Sequence, residues 1–413
     1  MLGEHGPLRA KEAAEAVAQK LALPPEVTTA TVRYSGERRS ANIFQRRVRW
    51  TRQSAVDAGL IVAEGKHGVW ELTDHGHKTL TMSRPGVCVE VYSTDLGSVV
   101  FAEAKTAMAM LEPGCIQLCL TSSPFPLIVS RPYGGWSPET FLDTLLSHLD
   151  LMKPLLTSDG SVVLNLADTY EKGRPTLFPY QEALVMEMIR RRWFLVGKLV
   201  HVNPSKPKTT NYVTKSRERL ASGFENYFQF SLTPHPNCDN RRVLEPYSEK
   251  HLRTIARGGE MRRTRTGSRQ SCPGLRYRDD NGGRIPYNVI TCAHEASNSP
   301  YVRFCKKRGL PVHPARMPVP IARFFIRYAS EPGQCVFDPF AGSLVVPAVC
   351  EELGRTYVAS DKCFEYLLGG GSRLQAFSGF SFQSPFHADT ELASGMNMRS
   401  FPDRSCKRTS ISA

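Results

Sequence analysis

Residues 335–354 read CVFDPFAGSLVVPAVCEELG, and the fold turns on how this stretch is read. The apolar run Cys335-Val336-Phe337 passes directly into Asp338-Pro339-Phe340-Ala341-Gly342-Ser343, and the apolar helical pattern VVPAVCEELG follows. A glycine-bearing loop between strand and helix lets backbone approach a ligand at the carboxyl end of a sheet. Asp361 closes the next strand-like run, TYVAS, nineteen residues beyond Gly342. An acid there can accept hydrogen bonds from ribose hydroxyls. No GxGxxG fingerprint is present, which weighs against a nicotinamide cofactor.

Working outward, strands and helices alternate on both sides of this loop. CVEVYS, IQLCLT and Ser161 to Leu166 (SVVLNL) have strand character, and Phe141 to Met152 has helical spacing. Such alternation implies an α/β fold with a mainly parallel, doubly wound sheet covered on both faces. Five segments follow. Residues 1–83 form an N-terminal α+β unit, 84–230 one half of the α/β core, and 281–383 the half holding the DPFAGS loop. Between the halves, residues 231–280 are rich in Arg, Pro, Ser and Gly and read as loops. The tail, 384–413, is polar and aperiodic and reads as disordered. Within the first segment, Phe44, Val48, Thr51, Ala55 and Ala58 mark one helical face, with Arg46, Arg47, Arg49 and Arg52 directed away from it. Gly59 is a natural helix stop. LIVA and VWEL then read as two short strands, and Thr73 and Asp74 as the cap of a final short helix.

Composition narrows the class of partner. The chain has 413 residues, is 41% hydrophobic and 22% charged, and has no apolar run long enough to span a bilayer. Its first twenty residues lack the apolar core of a signal peptide. The 11 cysteines form no CxxC pair and read as reduced thiols of a cytoplasmic protein, with no metal site expected. The net charge is +14, and residues 201–270 hold 14 Lys and Arg against 6 Asp and Glu. A basic concentration of this kind attracts a polyanion.

A second constellation, Thr121-Ser122-Ser123-Pro124-Phe125, ends the strand IQLCL. It resembles the (S/D)PP(Y/F) tetrapeptide of amino-methyltransferases, and DPFAGS with Asp361 resembles their S-adenosylmethionine motif. The order, with tetrapeptide first, basic stretch next and cofactor loop last, is that of β-class DNA methyltransferases. HPARMP (313–318) and FFIRYASEPG (324–333) are the most specific further matches. The resemblance covers about residues 88–380 and is nearest to the cytosine-N4 type. NIFQRRVRW…AGLI…GVWELTDHG resembles a winged-helix module found before some restriction-associated enzymes.

The resemblance implies an S-adenosylmethionine-dependent transfer of methyl to an exocyclic base amine in double-stranded DNA. It implies a catalytic set of Ser122, Ser123, Pro124 and Phe125. The implied cofactor set is Asp338, Pro339, Phe340, Gly342, Ser343, Asp361 and Asn165. The basic region 201–280 is the target-recognition candidate, with Arg241, Arg242, Arg262, Arg263 and Arg265 as DNA contacts. A cognate restriction endonuclease is the implied functional partner in a bacterial or archaeal cell, and monomer and dimer both stay open. Adenine-N6 methylation, RNA methylation and a catalytically impaired DNA-binding homologue are the rival readings. The last arises from three departures: Ser123 replaces a proline, Asn165 stands where an aspartate is often found, and Leu344-Val345-Val346 replace a small or polar residue and two threonines.

Overall fold

The computed structural model describes residues 2, 7–20, 23–32, 41–57, 59–62, 68–73, 76, 86, 88–126, 136–205, 211–259 and 278–383. The chain divides into two compact units, residues 1–89 and residues 90–383.

The first unit runs β1 (Leu8–Arg9), α1 (Ala10–Lys20), α2 (Pro25–Thr29), β2 (Thr31–Val32), β3 (Ala41–Asn42), α3 (Ile43–Asp57) and β4 (Val69–Trp70). β1 pairs antiparallel with β4, and β2 with β3. Gly59 adopts φ 69° just beyond α3, the left-handed stop its position suggests. Val48 and Ala55 of the expected helical face pack against a small core of Leu2, Ala13, Ile61 and Trp70. Thr51 is exposed instead. Arg52, expected to point away, lies over the Trp70 ring at 5.8 Å, where its stem can cover apolar surface. The expected LIVA–VWEL ribbon is seen as the Ile61–Leu72 bridge, with the Val62 N–H donating to the Glu71 carbonyl at 2.9 Å. The helix expected after Thr73 falls largely outside the described residues.

The second unit is built on one sheet. In its first half come β5 (Val89–Ser93), β6 (Gly97–Phe101), α4 (Ala104–Ala109), β7 (Ile116–Ser122), α5 (Pro138–Met152) and β8 (Leu156–Leu166). Then follow α6 (Tyr180–Arg190), β9 (Phe194–Val202), β10 (Phe224–Ser231), α7 (Glu249–Ala256) and β11 (Val289–Thr291). The remainder is α8 (Pro300–Lys307), α9 (Val319–Ala329), β12 (Cys335–Asp338), α10 (Val345–Leu353), β13 (Thr356–Asp361), α11 (Phe364–Gly370) and β14 (Ser381–Phe382).

The strand order is β11-β9-β10-β8-β7-β12-β13-β6-β5-β14. The five central strands β8, β7, β12, β13 and β6 are parallel, as the alternation predicts. β10 runs antiparallel to both β8 and β9, so the sheet is mixed on that flank. Residues Ile116 to Thr121 of β7 are all buried, the signature of a strand covered on both faces. Because the central strands are parallel, Ser122, Asn165, Asp338 and Asp361 all end up on one edge. The turn from β9 to β10 opens at this same edge, since Phe224 pairs with Val202 and Asn226 with Leu166.

The described part of residues 231–280 is less irregular than its composition suggests. Helix α7 lies within them, and the Ser248 hydroxyl caps it by accepting the His251 N–H at 3.3 Å.

Candidate active site

The loop after β12 is held by two carboxylates. Asp338 is buried, and its Oδ1 accepts the Thr121 hydroxyl at 2.6 Å and the Phe340 N–H at 3.2 Å. Burial pushes the Asp338 carboxyl up to about 7, and the nearby Asp361 adds to that push. Asp361 accepts the Gly342 N–H at 2.9 Å with Oδ2 and the Cys363 N–H at 2.8 Å with Oδ1. Burial raises its pKa as well. Gly342 has φ 47°, and a Cβ on it would meet His313 Nε2 at 2.8 Å, so two independent constraints require glycine. Leu344, one of the departures, opens α10 at φ 57° with its side chain fully buried. It fits because Gly370 faces it: a Cβ there would lie 2.5 Å from Leu344 Cγ.

Around this loop lies a cavity of about 340 Å³. Its walls include Asp338, Pro339, Phe340, Gly342, Ser343 and Asp361, as expected, together with the tetrapeptide residues Ser122, Ser123, Pro124 and Phe125. Trp136, His148 and Lys105 join them and were not anticipated. Phe340 contacts both the Trp136 ring at 5.7 Å and the His148 ring at 5.6 Å, giving one wall an aromatic surface. These residues fit an adenosyl cofactor. The aromatic wall suits a purine, Lys105 suits a carboxylate, and each Asp361 oxygen keeps a lone pair after its single backbone bond. S-Adenosylmethionine, when bound, supplies the electrophilic methyl.

Beside it lies a second cavity of about 220 Å³, lined by Ser122, Phe125, Asn165, Asn203, Glu225, Tyr227 and His294 among others. Ser122 and Phe125 therefore line both cavities. Ser122 faces Asn165 across the parallel β7–β8 pair, and its hydroxyl donates to Asn165 Oδ1 at 3.1 Å. Asn165 Nδ2 in turn donates to Glu225 Oε2 at 3.3 Å. Asn165, expected against the cofactor, thus lines the second cavity and not the first. Its amide is held between Ser122 of β7 and Glu225 of β10. Ser123 is the least accessible of the tetrapeptide at 1% exposure, and its hydroxyl has no hydrogen-bond partner among the described residues.

His201, Glu225 and His294 bring one possible ligand atom each within 4.8 Å of one another. Two of them have hydrogen-bond partners outside the group, Cys292 for His201 and Asn165 for Glu225. His201 Nε2 lies 2.9 Å from the Cys292 carbonyl, and Glu225 Oε1 lies 3.8 Å from His294 Nε2.

Arg241 and Arg242, two of the arginines expected to hold DNA, are not brought to this edge. Arg241 forks onto Asp239, with Nη2–Oδ2 at 2.7 Å, and Arg242 pairs with Glu331 and Asn237. Their segment is tied to the opposite edge: the Asn237 N–H donates to the Asp159 carbonyl near the start of β8, and its amide reaches Gln334, which precedes β12. Arg262, Arg263 and Arg265 lie outside the described residues. Among the described residues of the β9–β10 connection, which opens at the catalytic edge, Lys215 and Arg217 are exposed.

HPARMP, singled out in the sequence only as a match, proves to build the site. His313 packs on Gly342, while Ala315 and Met317 line both cavities. Arg316 pairs with Glu295 at 3.0 Å, Glu295 pairs with Arg373 at 2.7 Å, and Arg373 Nε donates to the Ser343 carbonyl at 2.9 Å. This ionic chain clamps the segment to the cofactor loop. Glu225 and His294 carried no local signal, because only strand register brings them to Ser122.

A parallel-centred sheet with a cavity at its carboxyl edge, walled by the DPFAGS loop, Asp361 and an aromatic surface, defines the class of S-adenosylmethionine-dependent methyltransferases. Residues 116–368 match the DNA methylase family model that covers N6- and N4-specific enzymes, and residues 1–82 match the Mrr N-terminal domain. The type II methyltransferase M.PvuII of Proteus hauseri is 30% identical over 284 residues, 68% of this chain and 84% of that protein. M.XycI of Xanthomonas campestris pv. cyanopsidis is 25% identical over 317 residues, 68% of this chain and 88% of its own. The solved structure of the PvuII DNA methyltransferase, described as cytosine-N4-specific, superposes with a TM-score of 0.56 at 25% identity, covering 73% of this chain and 92% of that one. The chain belongs to the N6/N4 DNA methylase family, and its cofactor is S-adenosylmethionine.

Proposed function

We propose that this enzyme methylates the exocyclic N4 of cytosine in a specific duplex site and so protects DNA from a cognate restriction endonuclease. One observation supports the chemistry above all: Ser122 and Phe125 stand between two cavities and line both. A base held in the smaller cavity would present its amine past Ser122 to the larger one, whose lining would hold the cofactor.

The residue types follow from the substrate. An exocyclic amine is conjugated with its ring and is a poor nucleophile. The Ser122 oxygen accepts an amine hydrogen and turns the nitrogen lone pair toward attack. Phe125 offers a face on which the base stacks after leaving the duplex. No covalent enzyme intermediate is needed, so the protein contributes chiefly alignment. The likeness to a cytosine-N4-specific structure supports cytosine as the base, and the type II names of both relatives support the protective role. We assign the N-terminal unit a winged-helix-like, DNA-contacting role, with exposed Arg47 and Arg49 on α3 as its contacts.

The experiment is to incubate the protein with labelled S-adenosylmethionine and unmodified genomic DNA, digest the product to nucleosides and identify the methylated one. N4-Methylcytidine in its deoxy form is the expected product. N6-Methyldeoxyadenosine would transfer the same site to adenine, and absence of label would overturn the enzymatic reading.

A further inference from the structure

Resting on that reading, we propose that Glu225 is a positioning residue for methyl transfer, acting through Asn165 to fix the polarity of the Ser122 hydroxyl. An asparagine at position 165 creates a difficulty that an aspartate would not. A carboxylate presents acceptors at both ends, so a facing serine can only donate to it. An amide has one acceptor end and one donor end, and either can face Ser122. If Oδ1 faces Ser122, the hydroxyl proton is drawn away and the oxygen lone pairs are left to accept the target amine. If Nδ2 faces Ser122, one lone pair is consumed and the hydroxyl proton points at the amine, which is the wrong polarity for activating it.

Glu225 decides between these states. It lies on β10, two residues before Tyr227, which pairs directly with Asn165. Residues two apart on a strand share a face, and a long side chain reaches such a diagonal neighbour. Its Oε2 accepts Asn165 Nδ2 at 3.3 Å, and its side chain is only 12% exposed. Reversing the amide would press Asn165 Oδ1 against a carboxylate in a partly buried setting, where repulsion is poorly screened. His294, 3.8 Å from Glu225 Oε1, and His201, its cross-strand neighbour, complete the polar group around it. The Asn165–Glu225 pair thus restores, from two strands, the one-way acceptor that a single aspartate supplies.

The test uses full-length protein with Glu225→Gln and the double variant Asn165→Asp/Glu225→Gln, assayed on the same unmodified genomic DNA. Glutamine keeps the shape of Glu225 but can flip, so both Asn165 orientations become accessible. kcat should fall about 10- to 100-fold, the usual scale for losing an orienting partner. The KM for S-adenosylmethionine and the thermal unfolding midpoint should stay at wild-type values. In the double variant the carboxylate introduced at position 165 presents an acceptor to Ser122 whichever way it turns, and the amide introduced at position 225 donates to its other oxygen. Its kcat should return to within about threefold of wild type. An unchanged kcat in Glu225→Gln, or a loss the double variant does not recover, overturns the proposal. Wild-type protein that methylates no DNA would instead defeat the functional reading on which it rests.

Discussion

Replacing Gly342 by alanine probes the cofactor loop at its tightest point. Two costs can be read from the structure. Holding a non-glycine residue at φ 47° costs about 1–2 kcal/mol. The new methyl would also lie 2.8, 3.0 and 3.1 Å from His313 Nε2, Cδ2 and Cε1. His313 has little room to retreat, because its ring stands edge-on to Tyr366 at 4.6 Å and its backbone N–H donates to the Tyr301 hydroxyl at 3.1 Å. Overpacking of this kind costs about 1–3 kcal/mol. The total, roughly 2–5 kcal/mol, should lower the unfolding midpoint by several degrees. It should also weaken S-adenosylmethionine binding, because the Gly342 N–H to Asp361 bond moves with the loop. The two costs separate in a double-mutant cycle. His313→Ala removes the ring, so Gly342→Ala in that background should keep the conformational cost and lose the steric one, a coupling of about 1–3 kcal/mol. Burial holds the His313 pKa down at about 4, so the ring stays neutral and the coupling should not change between about pH 6 and 8. Thermal unfolding and calorimetric titration of the cofactor read both quantities. Wild-type stability and affinity in Gly342→Ala would refute the loop geometry.

Four further outcomes are expected. Ser122→Ala should lower single-turnover methyl transfer roughly 100- to 1,000-fold, the scale for one positioned polar group, while cofactor affinity holds. Phe125→Ala should weaken base capture by about 1–3 kcal/mol and regain activity on a duplex mismatched at the target base, a rescue that Ser122→Ala should not share. Full turnover by Ser122→Ala would reduce the tetrapeptide to a turn. The folded-state pKa of Asp338, about 7, lies above its ordinary 3.8, so the folded chain keeps a proton that the unfolded chain has released. Stability of the cofactor-free protein should therefore fall as pH rises from about 4 to 7 and level off above. Asp338→Asn should remove that part of the slope, at most roughly 4 kcal/mol, leaving the part due to Asp361. An identical slope in denaturant titrations of both proteins would contradict the burial argument. Replacing Lys215 and Arg217 should reduce the log–log salt slope of DNA binding by about 0.9 for each phosphate they neutralise, whereas Arg241→Ala should leave it unchanged. The reverse pattern would put DNA at the opposite edge of the sheet.

What the sequence disclosed and what it hid follow from how far each signal reaches. The DPFAGS loop, the buried strand of Ile116 to Thr121 and the acid at 361 are local patterns, and each stands where its pattern implies. Asn165 was legible as a polar residue ending a strand, but not the way it faces. That depends on β10 lying between β8 and β9, an order that chain sequence does not dictate. The same holds for Glu225, which reaches Asn165 only through the antiparallel register. The arginines mark the limit of composition. Charge density says that a polyanion is attracted, but not that Arg241 and Arg242 stand away from the catalytic edge, ion-paired with Asp239 and Glu331. Helix α7 is hidden because arginine, serine and glycine surround it, although Ser248 before Glu249 and His251 is a usable cap signal.

The departures from the family pattern bear on whether the site is intact, and they do not all have the same standing. Leu344 is a large side chain in a strained conformation, yet Gly370 stands where any Cβ would collide with it, so the bulk is housed. Asn165 loses a charge, yet Glu225 stands at the diagonal position that orients its amide. Each change is thus matched by a residue far away in the chain whose identity makes sense only beside it, and agreement across separate levels of structure marks a working site more than a decaying one. Ser123 differs. Its hydroxyl is buried in the wall of the cofactor cavity with no partner among the described residues, and an unsatisfied group of this kind costs about 1–3 kcal/mol. That cost falls on the free protein. A proline at 123 carries no hydroxyl and would not incur it, so this departure, unlike the other two, has no compensating residue among the described ones.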